Sequence, residues 1–214
     1  MFATMSLVGT VQSIWSYPTK SLAAVPLREA QIESGGIPGD RGAALFVVDG
    51  HPRVGKTYRG KENNRLHMTD SVNRAGEMAA TQGTQVELRS DSPHYFDSAP
   101  ISLMLDRWVN EASELVGYAL DVLRFRPNLF ARAAPGFTQT EQELVGAILA
   151  IGTVVLQVRQ PIERCATITY DVQSGEVDSN VLRTIAQERG ACIGVYCDVL
   201  TVGRLVKGDP ITRQ

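Results

Sequence analysis

Cysteine is scarce in this chain: three residues, Cys165, Cys192 and Cys197, in a sequence of 214. So small and odd a number does not make a disulfide framework, and the last two lack the spacing and the nearby histidine of a zinc knuckle. Histidine is equally sparse. His51, His67 and His94 stand far apart and form no His-x-Glu, His-Glu-x-x-His or Ser–His–Asp arrangement. No Walker A loop and no Gly-x-Gly-x-x-Gly opening a helix is present. No apolar run approaches the ~20 residues of a spanning helix. The longest, Leu144 to Val158, is broken by Gly146, Gly152 and Thr153. The opening residues lack the basic and long apolar regions of a secretory signal, so a reduced, cytoplasmic setting is the expectation. A dominant charge sign is missing as well. Lys plus Arg number 21 and Asp plus Glu 23, a formal net charge of −2. That balance gives no global argument for nucleic acid or an acidic membrane as partner, although a basic pocket can still exist locally.

What is there suits a single domain over residues 1–214, with a β-rich N-terminal lobe over 1–99 and a C-terminal core over 100–214. Leu7 to Trp15, Val25 to Ile32 and Ala43 to Val48 read as strands, the last closed by the Asp49-Gly50 turn signal. Arg53 to Asn64 is basic and poor in apolar side chains, which predicts an exposed, mobile loop. Ile101, Leu105, Trp108, Ala112 and Leu115 recur at helical spacing, which predicts a helix over 100–116 stopped by Gly117. A second helix is predicted over Val181 to Arg189, capped by Ser179 or Asn180 and ended by Gly190. Further strands are predicted at Val154 to Val158, Thr167 to Tyr170, Ile193 to Val199 and Leu205-Val206, with Pro210 to Gln214 as a short tail. Many short strands and few helices predict a mixed, β-rich (α+β) fold: a closed or partly closed barrel with packed helices.

Four segments carry possible chemistry, each with a bland alternative. Tyr17-Pro18-Thr19-Lys20-Ser21 places a lysine, a hydroxyl and free backbone N–H groups at a turn, either an anion cradle or a solvated corner. Gly35-Gly36-Ile37-Pro38-Gly39-Asp40-Arg41 has a glycine-rich path beside a guanidinium, suited to a phosphate or to a plain turn with a surface ion pair. In an extended Arg124-Phe125-Arg126-Pro127-Asn128, period two puts Arg124, Arg126 and Asn128 on one side; an edge strand with exposed arginines is the alternative. Arg164 beside Cys165 would stabilise the thiolate that a metal ligand or nucleophile must be, whereas a lone cysteine is usually buried and inert. Cys192 and Cys197 read as core.

Taken together and in order, these segments resemble the MOSC domain family, the domain found at the C-terminus of molybdenum cofactor sulfurases. The matching stretches are Tyr17 to Leu22, Gly36 to Arg41, Phe96 to Pro100, the Phe-Arg-Pro-Asn of 125–128, Arg164-Cys165 with Asp171 to Gly175, and Ile193 to Tyr196 with Gly203 to Asp209. The resemblance implies a mixed β-barrel that binds molybdenum cofactor, with Cys165 as the protein ligand of the metal and the catalytic centre. It implies that Lys20, Ser21, Arg41, Arg126 and Asn128 hold the pterin and its phosphate, and that Arg164 lines the same site. Within the family it points to reduction of small N-hydroxylated substrates, with electrons from a separate donor protein and with neither nucleic acid nor membrane as partner. The alternative is a non-catalytic carrier of the cofactor, or of persulfide sulfur on Cys165. This chain departs from the family's pattern in a short segment between Arg41 and Asp97, in Glu163 ahead of Arg164-Cys165, and in Asp106-Arg107-Trp108 where a serine-bearing stretch is expected.

Overall fold

A computed structural model describes residues 6–214. Its centre is a closed barrel. In chain order the strands are β1 (Ser6–Ser16), β2 (Val25–Leu27), β3 (Glu29–Ile32), β4 (Ala44–Asp49), β5 (Gln85–Arg89), β6 (Ile101–Leu105), β7 (Leu129–Ala133), β8 (Ile148–Ile151), β9 (Val154–Glu163), β10 (Cys192–Thr201), β11 (Gly203–Val206) and β12 (Pro210–Arg213). The helices are α1 (Val72–Ala80), α2 (Asp106–Val116) and α3 (Ser179–Arg189). Seven strands close on themselves in the order β12-β8-β9-β10-β6-β7-β1, with β1 returning to β12 and β2 added outside β1. Closure removes the free sheet edges that an open sheet would expose. β6 and β7 run parallel, and every other ladder between these strands is antiparallel. The parallel pair needs a long crossover, which α2 supplies. β1, from the N-terminal β-rich stretch, is a stave of the same barrel.

Alternating burial fills the interior. Val8, Val11 and Ile14 of β1, Val154, Leu156 and Val158 of β9, and Ile193, Val195 and Cys197 of β10 are all buried in one cluster. Burial drives the Cys197 thiol up to about 12, so it is an inert core residue, as read from the sequence. A smaller core gathers Leu22, Leu45, Val47, Tyr58, Leu66, Ala75 and Ala79 beneath α1 and the β4–β5 pair.

Several expected elements change. The predicted helix over 100–116 is a strand followed by a helix. Ile101 to Leu105 are buried at every position, so the run shows no period of its own, and its apolar residues continued the spacing of α2 by coincidence. Trp108, Val109 and Ala112 form the buried face of α2, Leu115 is exposed, and Gly117 ends the helix in the left-handed conformation. Thr167 to Tyr170 is not a strand. Ala166–Thr169 forms a 3-10 turn, in which the Thr169 hydroxyl donates to the Ala166 carbonyl. The supposed tail is β12, whose Ile211 is fully buried between β1 and β8. Asp178, not Ser179 or Asn180, caps α3. The loop over 53–64 is irregular but anchored, because Tyr58 is buried and its N–H donates to the Leu45 carbonyl at 2.7 Å.

Candidate cofactor cleft

The first two motifs fold as one unit. The Arg41 N–H donates to the Tyr17 carbonyl at 2.7 Å, Ala43 to Pro18 at 3.2 Å and Lys20 to Ala43 at 2.8 Å. The Tyr17 N–H is taken by the buried Asp40 carboxylate at 2.6 Å. Asp40 also pairs with Arg41; with Asp40 buried and Arg41 half-buried, this is not the surface pair that the sequence alone suggests. Gly36 is required here: at a φ of 98°, a Cβ would stand 2.7 Å from the Pro100 carbonyl oxygen.

Tyr17 organises the cations. Its ring is fully buried, its hydroxyl donates to the Pro127 carbonyl at 3.1 Å, and burial raises the phenol to about 12. The guanidinium groups of Arg41 and Arg126 lie over this ring, 4.6 and 4.3 Å from its centroid. Arg41 is steered further by Asn128 Oδ1 at 3.4 Å and the Arg126 carbonyl at 3.2 Å. Among the described residues Arg126 has no carboxylate in ion-pair contact, and its Nη2 is buried without a hydrogen-bond acceptor. Desolvation lowers its pKa to about 10, which leaves it cationic at neutral pH. An unsatisfied, desolvated donor beside a second cation is a ready receptor for an oxyanion.

One cleft of about 510 Å³ collects the parts. Lys20, Ser21, Arg41, Arg126, Arg164 and Cys165 all line it. Asn128 does not: its amide is consumed by Ser102, which donates from N–H and hydroxyl at 3.1 and 2.9 Å, and by the Trp15 carbonyl. It positions Arg41 and is not itself a wall of the cleft. The period-two argument for residues 124–128 also fails. Val122–Phe125 is a 3-10 turn and Arg126 is left-handed, so the segment is not extended; Arg124 lines the cleft but is paired with Asp171 at 2.8 Å. Arg164 lines the cleft but spends its donors on the Ile193 and Phe125 carbonyls, at 2.6 to 2.9 Å. Gly194 makes room for it, since a Cβ there would lie 3.2 Å from Arg164 Nη2. Lys20 is held by Asp97 at 2.5 Å.

Cys165 is the exposed cysteine, and its Sγ lies 3.4 Å from the Thr167 hydroxyl. Among the described residues no group of three or more His, Cys, Asp or Glu side chains is placed to hold a metal ion. Cys165 can therefore give one ligand to a metal whose others come from a cofactor. Arg59, Lys61, His67 and Tyr196 also line the cleft, although the sequence singles out none of them as a site residue: Arg59 and Lys61 read as part of a basic loop, and Tyr196 only as the end of a matching stretch. They come from the loop around 53–68 and from β10, and only long-range packing brings them to Cys165.

The described residues thus form a closed mixed barrel with a cation-lined cleft and one exposed thiol. The chain belongs to the MOSC domain family, whose model matches residues 90–212. It is similar to mitochondrial amidoxime reducing component 2 of Macaca fascicularis, at 23% identity over 97% of this chain and 84% of that protein. Among solved structures it is similar in fold to the YUAD protein from Bacillus subtilis, with a TM-score of 0.60, 15% identity and coverage of 98% and 97%. A second crystal structure, of a hypothetical protein, matches with a TM-score of 0.51 at 14% identity, covering 97% of this chain and 68% of that one.

Proposed function

We propose that this protein holds a molybdenum–pterin cofactor, with Cys165 as its protein ligand to the metal, and reduces N-hydroxylated compounds. The observation that carries the reading is the pairing of an exposed thiol with the unsatisfied, buried Nη2 of Arg126 in one cleft. A pterin phosphate brings oxyanion acceptors for Arg126, Arg41, Lys20 and the Ser21 hydroxyl, and a thiolate suits a metal with sulfur ligands. The residues present therefore fit the group.

When bound, the cofactor would supply the two-electron chemistry, and a separate donor protein would supply the electrons. The chain's own part is positional. Arg41 and Arg126 stay over Tyr17 before any ligand arrives, so the cations need little reordering on binding. Arg164 anchors the end of β9 to β10 and to the turn at Phe125, and so fixes the backbone from which Cys165 projects. The similarity to an amidoxime reducing component favours this chemistry. A carrier of the cofactor, or of persulfide sulfur on Cys165, is the second reading; the exposure of Cys165 favours it, since a thiol that hands on a group must be reachable.

Metal and pterin content of protein from a cofactor-producing host tests the reading, with wild type compared against Cys165→Ala. Near-stoichiometric molybdenum in the wild type, lost in the variant, together with steady reduction of benzamidoxime by a chemical donor, is the expected result. Molybdenum binding without turnover, but with transfer to an apo-enzyme, would move the assignment to the carrier. No molybdenum or pterin in either protein would sink both cofactor readings.

A further inference from the structure

We propose that the buried carboxylate of Glu141 is a positioning residue for the cleft. It locks the Ile193–Gly194 peptide so that its carbonyl anchors Arg164, and through Arg164 it sets the backbone that carries Cys165 and Arg126. The role in cofactor binding rests on the reading above, whereas the arrangement itself can be tested without cofactor.

The weak point lies in β10. Between the pairs Cys192–Glu163 and Val195–Pro161, two residues of β10 face one of β9, which makes Ile193-Gly194 a β-bulge. Gly194 has a φ of 81°. A Cβ there would stand 2.9 Å from Met104 Cε, 3.1 Å from the Leu103 carbonyl oxygen and 3.2 Å from Arg164 Nη2. Glycine also leaves the preceding peptide free to rotate, since it tolerates φ of either sign. Nothing intrinsic to these two residues fixes the direction of the Ile193 carbonyl.

The peptide is instead held from both sides. Its carbonyl accepts from Arg164 Nε at 2.9 Å and Nη2 at 2.6 Å. Its N–H, which belongs to Gly194, donates to Glu141 Oε1 at 3.2 Å. In a planar trans peptide the C=O and N–H point in opposite directions, so holding the N–H aims the carbonyl. Glu141 is buried, and the same Oε1 accepts from Arg189 Nη2 at 2.7 Å, with Oε2 at 3.0 Å. Arg189, at the end of α3, is paired in turn with Glu111 of α2 at 2.8 Å. A buried ion pair adds little stability over apolar packing. The directed bond to Gly194 is what apolar packing could not supply.

Arg164 carries the restraint to the cleft. Its Nη1 donates to the Phe125 carbonyl at 2.8 Å. That carbonyl belongs to the peptide that enters Arg126, whose backbone is left-handed with a φ of 52°. Its own N–H donates to the Ala191 carbonyl at 2.8 Å, and the next residue is Cys165. A rotated 193–194 peptide would turn an N–H towards the guanidinium, and Arg164 would lose two of its three side-chain bonds.

The test follows 1H–15N resonances of the full chain without cofactor, in wild type and three variants. Glu141→Asp keeps the charge for Arg189 but draws the oxygen back from Gly194 by one methylene, about 1.5 Å. Glu141→Gln loses the charge but keeps an oxygen able to serve both Gly194 and Arg189. Glu111→Gln weakens the Arg189 network without touching Gly194. Glu141→Asp is expected to speed exchange of the Arg164 Nε proton about tenfold and to shift the Gly194, Cys165 and Arg126 amides. Glu141→Gln and Glu111→Gln should leave the Arg164, Cys165 and Arg126 signals near their wild-type positions, even where they lower the melting temperature. A general electrostatic role predicts the reverse order, with Glu141→Gln the more disturbed. Molybdenum retained by holoprotein through gel filtration should fall about tenfold or more in Glu141→Asp. Cleft signals unmoved in Glu141→Asp, or moved as far by Glu141→Gln or Glu111→Gln, would overturn the proposal. A wild type that holds no molybdenum would fail the cofactor reading alone, and the Arg164, Cys165 and Arg126 signals would still decide the role of Glu141.

Discussion

Arg126→Met should stabilise the cofactor-free protein while weakening its hold on a phosphate-bearing ligand. Among the described residues Arg126 is a cation without a carboxylate in ion-pair contact, and one of its terminal nitrogens is buried and unsatisfied. A pKa drawn down from 12.5 to about 10 corresponds to roughly 3 kcal/mol against the charged form. Water entering the cleft screens part of this, leaving about 1–2 kcal/mol. Against it stands the lost cation–π contact with Tyr17, worth about 0.5–1 kcal/mol, part of which the Met side chain recovers by packing on the same ring. The left-handed backbone at this position, φ 52°, is as unfavourable for Met as for Arg and cancels. The net expectation is a gain of about 1 kcal/mol, or roughly 2–4 °C in melting temperature for a chain of this size. Urea and thermal unfolding of cofactor-free wild type and variant measure it. Inorganic phosphate or the pterin cofactor, added to both, should raise the melting temperature of the wild type more. A variant destabilised by 1 kcal/mol or more without ligand would refute the claim that Arg126 is an uncompensated charge held for a ligand.

Removing residues 210–214 should abolish soluble folded protein, because Ile211 is buried where β12 joins β1 to β8; recovery of a wild-type circular dichroism melt would contradict the closed barrel. Asp97→Asn should tighten phosphate binding several-fold, read by calorimetry, since it frees Lys20 from its carboxylate partner; unchanged affinity would show that Lys20 does not reach the ligand. Acidification should cost wild type a component of stability that His67→Gln lacks. The folded-state pKa of His67 lies below 6.5, so the unfolded chain takes up the proton first, and stability falls as pH drops from about 6.5 towards the folded value. Parallel melts of the two proteins across that window check the sign.

Much of the barrel was legible because alternation survives wherever one strand face meets the core and the other meets solvent. β1 and β9 show it. β6 defeated the same reasoning, since a strand covered on both faces has no period, and its apolar run blended into α2. β12 was hidden for another reason: four residues at a chain end carry too little pattern, and only pairing with β1 and β8 reveals their role. Short motifs single out Lys20, Ser21, Arg41, Arg126, Arg164 and Cys165, each beside a proline, a glycine or a second polar residue, and all six line one cleft. Asn128 reads from its motif as a ligand contact, whereas its amide bonds Ser102 and Trp15 and does not line the cleft. His67 carried no such mark. Between Leu66 and Met68 it looks like any loop histidine, and its place on the cleft wall depends on contacts with Tyr170 and Asp171 about a hundred residues away.

The backbone gives an independent argument that the cleft is a functional site. Among the described residues, four that are not glycine adopt a positive φ: Ser21, Arg41, Arg126 and Ala191. Three of them line the cleft. Left-handed backbone costs an ordinary residue roughly 1–2 kcal/mol, and glycine would relieve it, yet here serine and two arginines bear it. The same residues include the cation whose donor is left unsatisfied. Strain and unmatched charge thus coincide at one place, while the barrel around it is conventionally packed. A surface with no ligand to bind would gain stability from glycine at Ser21 or methionine at Arg126. A hydroxyl at Ser21 and a guanidinium at Arg126, lining one cleft beside an exposed thiol, therefore support the proposed anion site.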